Sequence, residues 1–309
     1  MHLLQRMLFF QISQMHLQEE EGMRFRLNVP TERGSVLTGV LFRKDEKRTA
    51  DTVMIAITGI HGNFYSNPFY YNIGDTLNGG GIDFIYAQTN DAFGQIETFN
   101  IKTEKKEIIG SWNERFSYTD QDIDAYLTFA EEEGCEHIVL AGHSLGANKV
   151  IYYLSRHRVT RVEHFFLLSP ANLTYMMSGV TEREKRIIRQ QVELGGGEKM
   201  LPFSFMGWVE CIAYTAWDWQ FSGLLNNVHT ERDGDYSQAE KITHTGALLA
   251  GTYDSFTDGN PSDFLRNLND HRPYGKENDL IFIDKTGHTY QGKHQKLADT
   301  VLGRLREWR

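Results

Sequence analysis

The chain has 309 residues, 40% hydrophobic, 24% charged and 12% aromatic, and its 41 acidic residues outnumber 32 basic ones for a net charge of −9. That apolar content excludes a wholly disordered chain and predicts one large α/β domain or two small ones, while the acidic balance excludes nucleic acid as an expected partner. Cys135 and Cys211 are too few for a disulfide scaffold and read as buried small hydrophobes, and no apolar run is long enough to span a membrane, so the expected location is cytoplasmic.

Residues 1–22 read as an N-terminal extension. Leu3, Leu4, Met7, Leu8, Phe9, Phe10 and Ile12 are interrupted by Gln5 and Arg6, and no small-residue cleavage site precedes Gln18-Glu19-Glu20-Glu21. This is the pattern of a short amphipathic segment rather than of a signal peptide. Met23 to Val29 and Gly34 to Arg43 predict an antiparallel pair at a sheet edge. Thr52 to Thr58 is a continuous apolar run ending at Gly59, as expected of a strand buried on both faces. Gly79-Gly80-Gly81 introduce a short strand from Asp83 to Ala87. Thr119-Asp120 offers an N-cap to a helix with Ile123, Tyr126, Leu127 and Ala130 on one side, closed by Gly134.

His137 to Ala141 predicts a strand, Leu145 to Arg156 a helix, and Val162 to Leu168 a strand. Residues 244–252 give another strand, Pro261 to Asn269 a helix, and Leu280 to Asp284 the last strand. A helix from His294 to Arg309 carries Leu297, Val301, Leu305 and Trp308 on one face, and its final arginines complement the helix dipole. Strands alternating with helices call for a mainly parallel sheet covered on both faces, the α/β class. The core is assigned to 23–170 and 244–309. Residues 171–243 interrupt it and are too long for a plain loop, so they predict an inserted subdomain.

Gly142-His143-Ser144-Leu145-Gly146 matches G-x-S-x-G. Ile138-Val139-Leu140-Ala141 before it reads as a strand, and the helix after it turns Ala147, Val150, Ile151 and Leu154 inward. Strand, serine and helix in that order make a nucleophile elbow, which lifts the Ser144 hydroxyl above the sheet at the positive end of a helix; the bland alternative is a tight turn with an idle serine. A serine hydroxyl needs a base within hydrogen-bond reach, and the elbow predicts the chain order serine, acid, histidine. His288 follows the last strand in a loop and is the expected base, ahead of His271 and His294. His143 reads as packing beneath the nucleophile. Asp254, at the end of Leu248-Leu249-Ala250-Gly251-Thr252-Tyr253, is the expected acid, with Asp258 as its rival.

An oxyanion needs two preorganised N–H donors. Leu145 supplies one from the elbow. The loop Gly59-Ile60-His61-Gly62-Asn63-Phe64 is expected to supply the other from Asn63, with Gly62 allowing close approach. The insertion is rich in rings, among them Phe203, Phe205, Tyr214 and Phe221, and Trp208, Trp217 and Trp219 are its substrate-binding candidates; the alternative for each is a small aromatic core of the insertion. Thr181 to Arg189 reads as a solvated helix face. The sequence contains no H-E-x-x-H, paired C-x-x-C or Walker loop, so neither a metal nor a cofactor is expected.

From about Met23 to Arg309 these residues resemble the α/β-hydrolase superfamily. More narrowly, His61-Gly62-Asn63-Phe64-Tyr65, Gly110-Ser111-Trp112-Asn113-Glu114-Arg115-Phe116, Asp122-Ile123, the elbow, and Lys149-Val150-Ile151-Tyr152-Tyr153 are similar to a group that includes fungal fusarinine C (siderophore) esterases. Members of that group often have Thr where this chain has Leu145, so no substrate is carried across. The superfamily resemblance implies an eight-stranded, mostly parallel sheet, a lid after the sixth strand where 171–243 falls, and the roles given above to Ser144, Asp254, His288, Asn63 and Leu145. His244-Thr245-Gly246 departs from a proline common in that place. The expected function is a cofactor-free serine hydrolase that cleaves a carboxylic ester through an acyl-enzyme, with a bulky or aromatic small-molecule substrate. A thioesterase, amidase or acyltransferase using the same triad is the alternative, and a binding protein on an inactive hydrolase scaffold is the reading from another class. A homodimer is left open.

Overall fold

The apolar runs form strands in the computed structural model of the chain, which describes residues 13–15, 22–45, 49–158 and 161–308. In chain order the strands are β1 (Ser13–Met15), β2 (Met23–Pro30), β3 (Val36–Arg43), β4 (Thr52–Ile57), β5 (Asp83–Ala87), β6 (Ile96–Asn100), β7 (Lys105–Ile109), β8 (His137–Ser144), β9 (Val162–Pro170), β10 (Thr245–Gly251) and β11 (Asp279–Ile283). Among the described residues, nine of them form one sheet in the order β1-β2-β3-β5-β4-β8-β9-β10-β11. β1, β2, β3 and β5 pair antiparallel at one edge. Every pairing from β5 to β11 is parallel. Without the short β1 this is an eight-stranded, mostly parallel sheet. Of the amphipathic extension expected over residues 1–22, β1 and Gly22 are described; the rest lies outside the described residues.

β4 shows why continuous apolar runs are used here. Val53, Ile55 and Ile57 enter the core on one face of the sheet, and Met54 and Ala56 enter the core on the other, the period of two that a pleated strand imposes. The helices are α1 (Phe69–Gly79), α2 (Thr119–Glu132), α3 (Leu145–Arg156), α4 (Leu173–Met176), α5 (Glu182–Glu193), α6 (Ala213–Trp217), α7 (Pro261–Asp270) and α8 (His294–Trp308). α2, α3 and α7 cover the first face through residues such as Ile123, Val150 and Phe264. α1 and α8 cover the second through Ile73, Leu77, Leu297 and Val301. This is the α/β-hydrolase arrangement.

Three local features differ from expectation. α1 lies where no helix was expected, because its stripe of Phe69, Ile73 and Leu77 is short and aromatic-rich. The β6–β7 hairpin pairs outside the main sheet; its alternation is masked by charge on both faces. The α2 N-cap is Tyr118, with no side-chain cap, and Thr119 is already helical. Cys135 and Cys211 are buried free thiols. Residues 171–243 carry α4, α5 and α6 and a cluster of their own, in which Leu173, Ile188, Phe205, Val209 and Leu225 pack together and onto Leu145 and Phe116. A capping box at Thr181 starts α5, whose one buried residue is Ile188. Among the described residues no helix is long and apolar enough to cross a membrane.

α3 presses on the end of β4 without a side chain between them. A β-carbon on Gly146 would stand 2.4 Å from the Ile57 carbonyl oxygen and 2.6 Å from that of Thr58. Gly146→Ala is therefore expected to cost about 1–3 kcal/mol, as overpacking does, seen as a lower urea midpoint at unchanged slope. An unchanged midpoint would contradict this contact.

Candidate active site

Ser144 ends β8 and caps α3 with φ 55° and ψ −127°, a backbone conformation that a residue with a β-carbon rarely adopts. The turn is tight because both flanking glycines lack side chains: a β-carbon on Gly142 would lie 2.2 Å from the Gly146 carbonyl oxygen. Ser144 is partly exposed, whereas Leu145 is buried under the insertion.

His288 and Asp254 come from the ends of β11 and β10. These ends are clamped by Tyr253 N–H donating to Thr286 O at 2.9 Å and Thr252 N–H donating to Ile283 O at 3.0 Å. Gly251 permits the clamp, since its β-carbon would meet the Thr286 carbonyl oxygen at 2.3 Å. The result is an imidazole–carboxylate pair in which His288 Nδ1 stands 3.0 and 3.1 Å from the two Asp254 oxygens. Asp254 is 1% exposed. Burial raises its carboxyl, but the hydrogen bond and charge of His288, the Ser169 hydroxyl and the Phe256 N–H outweigh that and hold it below the usual carboxylate value. It is Asp254, not Asp258, whose oxygens meet the ring; Asp258 is exposed and left-handed at φ 53°.

His143 braces this pair from below. It is buried, and its Nε2 donates to the His288 carbonyl oxygen at 2.8 Å. Burial, then the neighbouring His288, pushes its pKa down to about 3, so the ring is neutral and its proton is committed to that carbonyl. Phe69 and His288 stand edge-on and tilted against it at centroid distances of 4.9 and 5.0 Å.

The loop after β4 corrects one expectation. The Asn63 N–H, expected to face an oxyanion, instead donates to Ser66 Oγ at 2.8 Å. Gly62 serves a turn within the loop, its N–H donating to Gly59 O at 2.9 Å, and not an approach to Ser144. The approach is made by Gly59, where a β-carbon would lie 3.0 Å from Ser144 Cβ and 3.4 Å from the Leu145 nitrogen. The next N–H, that of Ile60, has no hydrogen-bond partner among the described residues. β4 ends at Ile57, so the first glycine after the strand was the one to choose, not the second.

The three tryptophans separate by burial. Trp219 is 3% exposed and packs on Phe116 at 5.2 Å, inside the insertion. Trp217 is half-buried against Phe221. Trp208 is 47% exposed and stands edge-on to His61 at 5.2 Å, over the loop that follows β4.

A buried ionic cluster supports the other side of the elbow; the sequence points to its Lys149, Glu114 and Asp122 only through resemblance, and to its Asp91 and Arg33 not at all. Lys149 on α3 is fully buried, with Nζ 2.9 Å from Glu114 Oε1, 3.1 Å from Asp91 Oδ1 and 3.1 Å from Thr89 Oγ1. Asp122 pairs with Arg33 at 2.6 Å and accepts from the Asn90 N–H at 2.9 Å. Burial pushes Glu114 up to about 8; Lys149 pulls it down, and Asp91 and Asp122 add to the rise. Three carboxyls thus face two cations, and burial among like charges favours the protonated form of Glu114. The cluster joins α3 to the loop after β4, since the His61 N–H donates to Asp91 O at 2.9 Å. It also reaches the insertion, where Thr215 Oγ1 donates to Glu114 O at 2.9 Å. Cavities of about 840 and 480 Å³ lie at the opposite ends of the strands and beneath the β6–β7 hairpin, and neither is lined by Ser144, Asp254 or His288.

The profile of a family described as a protein of unknown function, DUF1749, matches residues 35–225, from β3 through the elbow into the insertion. The chain belongs to this family. None of the curated proteins matches the DUF1749 chain. Among solved structures it is similar to Est1E from Butyrivibrio proteoclasticus, with a TM-score of 0.63 and 15% identity over 91% of this chain and 98% of that one. It is similar to the alpha/beta hydrolase GrgF from Penicillium sp. sh18 at TM-score 0.62 and 13% identity, over 92% and 96% of the two chains. The Pyrococcus furiosus esterase Pf2001 aligns at TM-score 0.55 and 16% identity over 96% and 98%. These likenesses establish the α/β-hydrolase fold for this member of DUF1749.

Removing the cation of the buried cluster should be far worse than replacing its raised acid with an amide. Lys149→Met is expected to cost about 3–5 kcal/mol, because it strands two buried carboxyls. Glu114→Gln should be nearly neutral in stability below about pH 4.5, where the carboxyl carries its proton folded and unfolded alike. A raised carboxyl contributes stability that is full below its ordinary value of 4.5 and is lost as pH rises through about 8. The stability difference between wild type and Glu114→Gln, read by chemical denaturation across that range, should therefore move against the wild type with rising pH. A difference of the opposite sign would contradict the assignment.

Proposed function

We propose that this chain is a serine hydrolase of carboxylic esters, with Ser144 as nucleophile, His288 as base and acid, and Asp254 as the group that orients and stabilises the imidazole. The observation that carries this reading is the strained Ser144 where a helix begins, next in the chain to His143, whose ring bonds the His288 carbonyl, with the His288 imidazole itself held by a buried carboxylate. A hydroxyl alone is a weak nucleophile; His288 Nε2 accepts its proton while Oγ bonds to the ester carbonyl carbon. The carbonyl oxygen becomes an oxyanion, for which the Leu145 and Ile60 N–H groups are the donors.

Collapse of the tetrahedral species breaks the bond to the alcohol oxygen, and His288 gives that oxygen its proton. Water then repeats the sequence on the acyl-enzyme and frees the acid. Asp254, low in pKa and buried, favours the imidazolium that forms in each half. Residues 171–243 act as the lid, with Trp208 as its substrate-facing ring; the burial of Trp219 supports an internal packing role for that residue. The substrate class is a small-molecule ester with a bulky or aromatic part. A thioester or amide, or an acceptor other than water, is the second reading, favoured by the same triad and decided by the lid.

Hydrolysis of p-nitrophenyl esters tests the assignment. Ser144→Ala should lower kcat by at least about 10³-fold and Asp254→Asn by roughly 10⁴-fold, with circular dichroism unchanged. Full activity in Ser144→Ala would refute the nucleophile. In a parallel panel, turnover of thioesters without turnover of oxyesters would favour the second reading.

A further inference from the structure

Two aromatic rings next to His288 and to each other are left unused by the steps above. Phe256 lies on the imidazole with a centroid distance of 4.3 Å. It is half-buried and held in place by its own N–H, which donates to Asp254 Oδ1 at 3.1 Å. Tyr175 stands edge-on to Phe256 at 5.9 Å and is 46% exposed. Its position is fixed by the fold: it lies on α4, whose Asn172 cap accepts the Tyr175 N–H at 3.1 Å. α4 follows directly on β9, where Pro170 is the cross-strand partner of Ser144. One ring thus comes from the 254–258 turn and one from the start of the insertion, and both reach the same rim as the nucleophile.

The chemistry fixes which part of an ester meets them. The proton that His288 passes on goes to the leaving oxygen, so the alcohol portion must lie within hydrogen-bond reach of Nε2. Nδ1 is occupied by Asp254, and the face towards His143 is closed by a ring that is itself 2% exposed. The substituent on the leaving oxygen is left to run along Phe256 towards Tyr175. Two rings already at edge-to-face geometry present a surface that a third ring extends by stacking.

On the strength of the hydrolase reading, we propose that Phe256 and Tyr175 form the leaving-alcohol subsite, and that the substrate class is esters of alcohols that carry an aromatic ring. The preference therefore sits on the alcohol, not on the acyl group.

Benzyl, cyclohexylmethyl and ethyl acetate share one acyl group and have alcohols of similar acidity, so differences in kcat/KM report binding of the alcohol portion. Wild type should favour benzyl over ethyl by roughly tenfold, the scale of one aromatic pair, with cyclohexylmethyl between them. Tyr175→Ala and Phe256→Leu should bring the benzyl-to-ethyl ratio towards one, and Tyr175→Phe should keep it. A loss of packing alone would lower all three rates together and leave the ratio in place. Equal rates for benzyl and ethyl in wild type, or an unchanged ratio in both ring-removing variants, would overturn the subsite while leaving the hydrolase reading intact. Turnover of none of the three would refute the hydrolase reading and the subsite with it.

Discussion

Ser144 is held at φ 55° and ψ −127°, a strain on the order of 1–3 kcal/mol that persists only where its surroundings over-determine it. Those surroundings are identifiable. β8 is paired in parallel on both sides, with β4 and β9, so its last residue cannot move along the strand direction without breaking two ladders. α3 is fastened to the sheet through Ala147, Val150, Ile151 and Leu154. Three consecutive residues are sent to three places: His143 into the packing with Phe69, Leu145 into the cluster of the insertion, and Ser144 to the rim between them. Gly142 and Gly146 are needed because the backbone closes on itself where their side chains would be.

The two polar systems around this turn divide their tasks by side. Towards β10 and β11, a low-pKa buried carboxylate and a neutral buried imidazole hold His288 by its ring nitrogen and by its carbonyl. Towards β4 and β5, a lysine on the helix that follows Ser144 gathers acids from the segment after β5 and from the 110–116 segment. Buried charge is costly unless paired and hydrogen-bonded. Here the pairing is also mechanical, because the same residues bond through their backbones to the loop after β4 and to the insertion.

Much of the fold was legible because its signals are local. An unbroken apolar run such as Thr52–Ile57 has few alternatives to a doubly buried strand, and glycine, serine and glycine between strand and helix admit few turns. Chain order points to His288 and Asp254, and the clamp of Thr252 and Tyr253 on Ile283 and Thr286 brings them within hydrogen-bond distance. What failed depended on contacts that a sequence does not display. Asn63 had the right neighbours, but whether its N–H is free is decided by Ser66, three residues on. Trp208 and Trp219 look alike in a row of aromatics, and only packing separates an exposed ring from a core one. Lys149 and Glu114 are 35 residues apart, and neither announces that it will be buried against the other.

The decisive experiment is a crystal structure of the protein after reaction with a fluorophosphonate. The phosphorus should be bonded to Ser144 Oγ, with its phosphoryl oxygen about 3 Å from the nitrogens of Leu145 and Ile60 and the His288–Asp254 pair intact. Phosphorus on another residue, or a folded protein in which Ser144 stays unmodified, would contradict the assignment of this serine as the nucleophile.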